Sequence, residues 1–303
     1  MIAETVDNIF DKNAGAGRDA GSGRGTGSGR NAGSRRGTES GRDAGFGKET
    51  VPGEEQDPAA VFRNVTFSYP GEDLTLIEDL DFSVRRGEFV SLIGPSGCGK
   101  STIFRLLNRL NEPVSGRIEI FSTNNRCGYM PQQDLLLPWR TVAENVRLPL
   151  ELQGGFGERE MKERAEEALR EVGLAGWGDK LPRELSGGMR QRASFARTLM
   201  TGADLLLLDE PFSALDYLTR LSMREWLLDQ WEKERKTVLF ITHDVEEAIF
   251  LSTRILAVEQ SPIRSLREYR VPLGRPRTEA SLAAPEALAL KEQLIRLFRE
   301  AAK

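Results

Sequence analysis

The sequence is short of several things at once. It has one histidine in 303 residues, at position 243, and two cysteines, Cys98 and Cys127. Two thiols in a chain this long are no disulfide framework, and they suit a reducing compartment. No apolar run approaches the roughly 18 residues that a membrane-spanning helix needs. Charge of one sign is not in excess: the formal net charge is −4, with acids and bases interspersed, so nothing calls for a nucleic-acid partner. The first residues, MIAETVDNIFDKN, lack the basic and apolar blocks of a signal peptide. The expectation is a protein made and kept inside the cell. Its length allows one large domain or two small ones, and 39% hydrophobic residues suffice for a sizeable core.

Residues 12–57 are nearly free of aliphatic side chains. GRDAG at Gly17 recurs as GRNAG at Gly29 and GRDAG at Gly41, a spacing of 12 residues. Such a repeat cannot bury enough surface to offset its ordering entropy, and it has no apolar ladder positions for a solenoid. Residues 1–57 are therefore expected to be a disordered Gly/Arg-rich leader. Treated as a Gly-rich coil, the leader spans about 40 Å. An Arg-Gly RNA-binding tail is the alternative, and the interleaved acids and lone aromatic Phe46 argue against it.

Residues 58–303 read as the folded part. Strands are predicted at 61–69, 80–84, 88–93 (EFVSLI), 203–208 (ADLLLL) and 237–241 (TVLFI). The unbroken apolar runs of the last three suit a parallel sheet covered on both faces. A helix is predicted from about 100 to 110. Another spans 158–172, with Met161, Ala165, Leu169 and Val172 on one stripe. A helical tail is predicted at about 280–303: Leu290, Leu294, Leu297, Phe298 and Ala301 share a stripe, and Pro285 fits its first turn.

The chemistry begins at GPSGCGKST, residues 94–102, which matches G-x-x-x-x-G-K-[ST] between a strand and a helix. Gly94, Pro95, Ser96, Gly97, Cys98 and Gly99 form a loop whose N–H groups wrap phosphates, and the helix opening at Lys100, Ser101 and Thr102 adds its positive end. Lys100 is placed to reach the β- and γ-phosphates, and the Ser101 hydroxyl to ligate Mg²⁺. Asp209 ends the LLLL strand, where α/β folds bind ligands, and is expected to hold Mg²⁺ through water. Glu210 follows it and would orient the attacking water; the alternative is a plain Asp-Glu-Pro turn. His243 also lies just beyond a strand, where a neutral imidazole would meet the γ-phosphate and the water. The alternative there is a helix-start residue beside Asp244. Cys98 sits among N–H groups near Lys100, which favours a reactive thiolate; mere fit is the other reading. Cys127 is expected to be buried and inert.

With LSGGMRQR at residues 185–192, about twenty residues before the Asp-Glu strand, the chain resembles the ATP-binding-cassette ATPases from Val61 to its end. The resemblance implies an α/β P-loop NTPase fold, a RecA-like core with an antiparallel β portion, plus a helical subdomain inserted at about 137–185. It implies ATP and Mg²⁺ as ligands. By resemblance Tyr69 stacks on adenine, and Gln132 links the two lobes and reaches the metal. Asp216 belongs to the SALD turn, 213–216, and His243 is the switch histidine. Ser186, Gly187 and Gly188, with Gln191 of the same motif, would meet the nucleotide held by a second copy, in a homodimer. LLPWRTV at 136–142 and LGRPR at 273–277 resemble importers for nitrate, sulfonates, taurine or thiamine-precursor pyrimidines.

The partners implied are transmembrane permease subunits and, indirectly, a periplasmic or extracellular solute-binding protein, with no nucleic acid. The site of action implied is the cytoplasmic face of the cell membrane, peripherally. Trp139 would be either an interface anchor or plain core. Residues 116–132 look shorter than in relatives, as if a hairpin were trimmed, and the leader repeat is no family feature. The competing expectations are a soluble cassette protein of translation or DNA repair, and a regulatory module that holds ATP without turnover. The single cassette, the lack of room for a coiled coil between Lys100 and Ser186, and the intact Glu210 and His243 weigh against them.

Overall fold

The structure is a computed structural model that describes residues 57–71, 74–122 and 127–301. The expected leader and its repeat lie outside the described residues, as do residues 123–126 of the supposedly trimmed hairpin and the side chain of Ala301.

In chain order the elements are β1 (Pro58–Ser68), β2 (Thr75–Arg85), β3 (Phe89–Ile93), α1 (Lys100–Leu107), β4 (Ser115–Ile120), β5 (Gly128–Met130), α2 (Val142–Gln153), α3 (Glu158–Glu171), α4 (Gly187–Leu199), β6 (Leu205–Asp209), α5 (Tyr217–Glu234), β7 (Thr237–Ile241), α6 (Val245–Leu251), β8 (Arg254–Ala257), β9 (Arg267–Arg270) and α7 (Pro285–Ala301). They build two sheets. A three-stranded antiparallel sheet has the order β2-β1-β4. A six-stranded sheet has the order β5-β6-β7-β3-β8-β9, parallel except for β9 at its edge. Strands β3, β6 and β7 are buried at every position, as their unbroken apolar runs require of central parallel strands. This is the α/β cassette architecture anticipated above, with its antiparallel portion and its helices.

The register decides where the chemistry goes. Leu92 of β3 pairs with Ile241 of β7, and Ile241 pairs with Asp209 of β6. The three strands therefore end level, and residues 94, 210 and 243 emerge at one edge.

Several elements exceed the sequence expectation. Strand β2 begins at Thr75 rather than 80, because a left-handed Asp79 (φ 47°) breaks its alternation without ending it. Strands β4 and β9 were not expected; SGRIEI and REYR are polar edge strands, held by pairing with Phe62 and Ile255 neighbours rather than by burial. The LGRPR motif has a local task. The Arg277 guanidinium is buried and donates to the carbonyls of Ile249 (2.9 Å), Phe250 (2.9 Å) and Ser252 (2.8 Å), capping the end of α6. Burial pushes its pKa down to about 10.

Helix α2 starts with a capping box: Thr141 Oγ1 accepts from Glu144 N (3.2 Å) and Glu144 Oε2 from Thr141 N (2.7 Å). One turn in, the fully buried Asn145 accepts from Leu137 N (2.7 Å) and donates to the carbonyls of Leu137 (3.1 Å), Arg140 (3.2 Å) and Thr141 (2.9 Å). One amide thus fixes the whole segment 137–141. Asn145→Ala is expected to cost about 2–3 kcal/mol in urea unfolding, because it orphans buried backbone groups.

At the end of α3, burial raises the Glu171 carboxyl from 4.5 to about 7, helped by the Glu167 and Glu234 carboxylates and opposed by Arg170 and Lys233. Below pH 4.5 the group is protonated whether folded or not, and costs nothing. Between 4.5 and 7 the unfolded chain ionises first, so the folded state loses ground, and above 7 the penalty is complete. Glu171→Gln should therefore be neutral to thermal stability at pH 4 and stabilising at pH 8, by up to about 3 kcal/mol.

Candidate active site

Strand β3 delivers the loop 94–99 to the C-terminal edge of the large sheet. A Cβ on Gly94 would stand 2.9 Å from Val258 Cβ and 3.0 Å from its carbonyl oxygen, so only glycine fits. Gly97 (φ 78°) and Gly99 (φ 102°) take left-handed backbone that other residues resist. Pro95, Ser96 and Gly97 face solvent, whereas Cys98 is 6% exposed and packs in the core beneath the loop. Its burial favours the reading of simple fit over that of a reactive thiol. Lys100 opens α1 and bends back over the loop, its ammonium donating to Gly94 O (2.9 Å) and Pro95 O (2.7 Å). Together these form a cationic cradle at a helix start, which is anion-binding in kind.

Asp209 is buried at the end of β6 and bonded to the Ser101 side chain. Its carboxyl is held above the ordinary range, first by burial and then by the Glu210 charge; the Ser101 bond, Lys100 and Arg105 oppose this. A hydroxyl, one buried carboxylate and the Gln132 amide are hard oxygen donors. Among the described residues no wider His, Cys, Asp and Glu cluster joins them. That sparse set is what Mg²⁺ takes when phosphates complete its shell, so the residues fit the ion.

Glu210 has a left-handed backbone (φ 48°), and its N–H donates to Ile241 O (2.9 Å). This turn aims the carboxylate back across the strand ends. Its Oε2 accepts from Gln132 Nε2 (3.1 Å) and stands 3.3 Å from His243 Nδ1. The loops after β5, β6 and β7 thus meet at one oxygen, and the His243 side chain stays 62% exposed. The lone histidine is not merely a helix-start residue: Asp244 makes the cap, accepting from Glu246 N (2.8 Å) and Glu247 N (3.2 Å).

Tyr69 lies beside α1, edge-on to Phe67, with its hydroxyl 3.3 Å from Thr102 Oγ1 and 3.0 Å from Arg105 Nη1. Ser186 caps α4, its Oγ accepting from Met189 N (3.3 Å), and Gly187 is exposed beside it. A Cβ on Gly188 would come within 3.2 Å of Ala214 O, so this glycine admits the neighbouring turn. Gln191 is buried and used as a strut: its amide donates to Glu210 O (3.0 Å) and accepts from Ala214 N (2.9 Å). Asp216 is exposed and caps α5, accepting from Thr219 N (3.1 Å); the Thr219 hydroxyl first, and then this backbone bond, lower its carboxyl. Gly187 and Gln191 line a cleft of 370 Å³ with Gln132 and Leu135.

Two supports escaped the sequence reading. Arg190 donates to Asp134 (2.9 Å), and Arg197 to the carbonyls of Asp134 (2.7 Å) and Leu135 (2.8 Å), tying the segment after Gln132 to α4. Their i, i+7 spacing on one helix face was the available signal. Thr242 and Glu247, around His243, are the other pair. Cys127 is half-buried, and burial pushes its thiol up to about 12, so it stays protonated. Trp139 is 73% exposed, which overturns its reading as core.

Known proteins align with this arrangement. The family described as ABC transporter matches residues 77–213. The chain is 48% identical over 211 residues to the formylaminopyrimidine import ATP-binding protein ThiZ of Halalkalibacterium halodurans, covering 70% of this chain and 84% of that one. It is 47% identical over 219 residues to the aliphatic sulfonates import ATP-binding protein SsuB 1 of Rhodococcus jostii, again over 70% and 84%. A solved dimer of the cassette MJ0796 in a post-hydrolysis state with ADP and Pi superposes with TM-score 0.63 at 30% identity, covering 71% of this chain and all of that one (100%). The loop at 94–102, the acids closing β6 and the relatives agree: the chain belongs to the ABC transporter family, as one of its ATP-hydrolysing cassettes.

Proposed function

We propose that the chain is the ATP-hydrolysing subunit of an importer, working in a cassette dimer to drive a membrane permease. The observation that carries this is the Glu210 carboxylate, held between Gln132 and His243 at the strand edge that also presents Lys100. Lys100 grips the terminal phosphates, exchanging two loop carbonyls for stronger charge-assisted bonds. Gly94, Pro95, Ser96, Gly97, Cys98, Gly99 and Thr102 shape the loop around them, and Tyr69 stacks on adenine. Ser101, Asp209 and Gln132 would hold Mg²⁺, which when bound would neutralise phosphate charge. Glu210 orients and polarises the attacking water; His243 and Gln132 keep its carboxylate aimed.

The site is open on one side. Gln132 and His243 face solvent and Glu210 is partly exposed beside them, and water there weakens every electrostatic contact. A second copy supplies the missing wall through Ser186, Gly187 and Gly188, with Gln191 and Asp216 bracing that face from behind. The dimeric MJ0796 structure supports such pairing.

No helix among the described residues is long and apolar enough to cross a membrane. The step into the membrane therefore falls to permease subunits. Leu135 (58% exposed), Trp139 (73%) and Leu152 (79%) offer them apolar purchase, on a segment stiffened by Asn145 and Arg197. The cassette then works peripherally, at the cytoplasmic face. The solute is a small organic ion or heterocycle, of the sulfonate or formylaminopyrimidine kind. Near-equal identity to cassettes named for both chemistries supports a chain that does not read the solute and leaves its selection to the permease and a solute-binding protein.

Glu210→Gln is expected to lower steady-state ATPase about a hundredfold or more while ATP still binds and a dimer accumulates on size exclusion. Undiminished turnover would refute the role given to Glu210. Tyr69→Ala should weaken ATP binding about tenfold, as loss of one aromatic–base stack does, while Tyr69→Phe should bind nearly as the parent.

A further inference from the structure

Behind the exposed His243 lies a buried polar chain that the hydrolytic machinery does not itself use. Thr242, fully within the core, donates from Oγ1 to Glu247 Oε2 (2.6 Å) and accepts from Asp244 N–H (3.0 Å). These two bonds span His243 on both sides, so they set the turn that carries the imidazole. Glu247 is buried on α6, and its second oxygen, Oε1, stands 3.8 Å from Arg220 Nε on α5. That Nε has no hydrogen-bond partner of its own. The same guanidinium donates from Nη2 to the carbonyl of Leu215 (3.1 Å), within the turn that leads from Glu210 to Asp216. Arg224, one turn further along α5, also faces Glu247, but it is engaged with Glu279 and lies over the Phe250 ring. Arg220 is thus the cation that joins Glu247 to the Asp216 turn.

A buried carboxylate needs partners. Burial and the Asp244 charge disfavour the Glu247 anion; Thr242, Arg220 and Arg224 offset them. A simpler core would place an apolar residue here. Instead α6 carries an acid with one oxygen bonded in the loop that bears His243 and the other beside Arg220 of α5, whose guanidinium in turn bonds the turn following Glu210.

We propose that Thr242, Glu247 and Arg220 are positioning residues for His243, locking its turn to the turn between Glu210 and Asp216. The imidazole then meets the Glu210 carboxylate only while that second turn is in place. Any movement of Asp216 caused by a second copy is passed to His243 through Arg220. The inference rests on the hydrolytic roles proposed for Glu210 and His243, and it predicts that these three residues affect turnover and not nucleotide capture.

The test uses the purified full-length chain, with steady-state ATPase and fluorescent-ATP binding measured for Arg220→Met, Arg220→Lys, Thr242→Val and Glu247→Gln, each alone and combined with His243→Ala. Expected is a fall in kcat of tenfold to about a hundredfold for Arg220→Met, Thr242→Val and Glu247→Gln. ATP affinity should stay within about twofold, since no phosphate-loop contact is touched. Arg220→Lys should recover most of the loss. Each double variant should be no slower than His243→Ala alone, because both changes disable one unit. Multiplicative losses in the doubles, or parental kcat in the singles, would overturn the proposal. If His243→Ala itself turns over normally, the hydrolytic reading has failed instead. Should either core substitution prevent folding, the solvent-flanked Arg220 pair still decides the matter.

Discussion

The hydrogen-bond register across β6, β7 and β3 is the constraint on which the site depends. Leu92 lies level with Ile241, and Ile241 with Asp209. Because all three strands are parallel, their carboxyl ends share one edge, and the turns that follow them must share it too. A slip of one residue would turn Asp209 from the Ser101 side to the opposite face of the sheet, since side chains alternate. The long apolar runs prevent that slip. Every position of these strands is buried, and the acid comes only where the run ends. Core packing therefore dictates the spacing of the charged groups, and the chemistry needs no further instruction to assemble.

What the register brings near, backbone and buried polar groups then hold. The left-handed turn at Glu210 costs about 1 kcal/mol and points the carboxylate at Gln132 and His243. Gln191 stiffens that turn from behind, and Arg197 and Asp134 restrain the segment after Gln132. Many of the buried cations here are satisfied by carbonyl oxygens. Lys100 takes two, and Arg277 takes several at the end of α6. Neutral acceptors leave a cation its charge. In Lys100 this charge lies at the loop, where a polyanion would meet it.

Much of this was legible in the residues alone. Strands β3, β6 and β7 announced themselves as apolar runs, and the phosphate loop, Asp209, Glu210 and His243 could each be placed at a strand end by counting. Elements whose existence is decided by their partner were not legible. Strand β5 has three residues, and β9 reads REYR; each is a strand only because β6 or β8 offers a free edge. The bond from Thr242 to Glu247 joins neighbours in sequence, yet nothing in THDVEE says that the second glutamate turns inward while the first stays half-exposed. Trp139 shows the same limit from the other side. An indole is as much at home inside as out, and this one stands in solvent on a segment that the Asn145 amide fixes from Leu137 to Thr141.

A chain with one imidazole has a built-in reporter. The ring sits 3.3 Å from the Glu210 carboxylate, and no other histidine in 303 residues can be mistaken for it. In a proton magnetic-resonance spectrum its C–H signals stand alone without isotopic labelling. The scarcity that first marked residue 243 thus makes this strand edge visible in the intact, unmodified molecule.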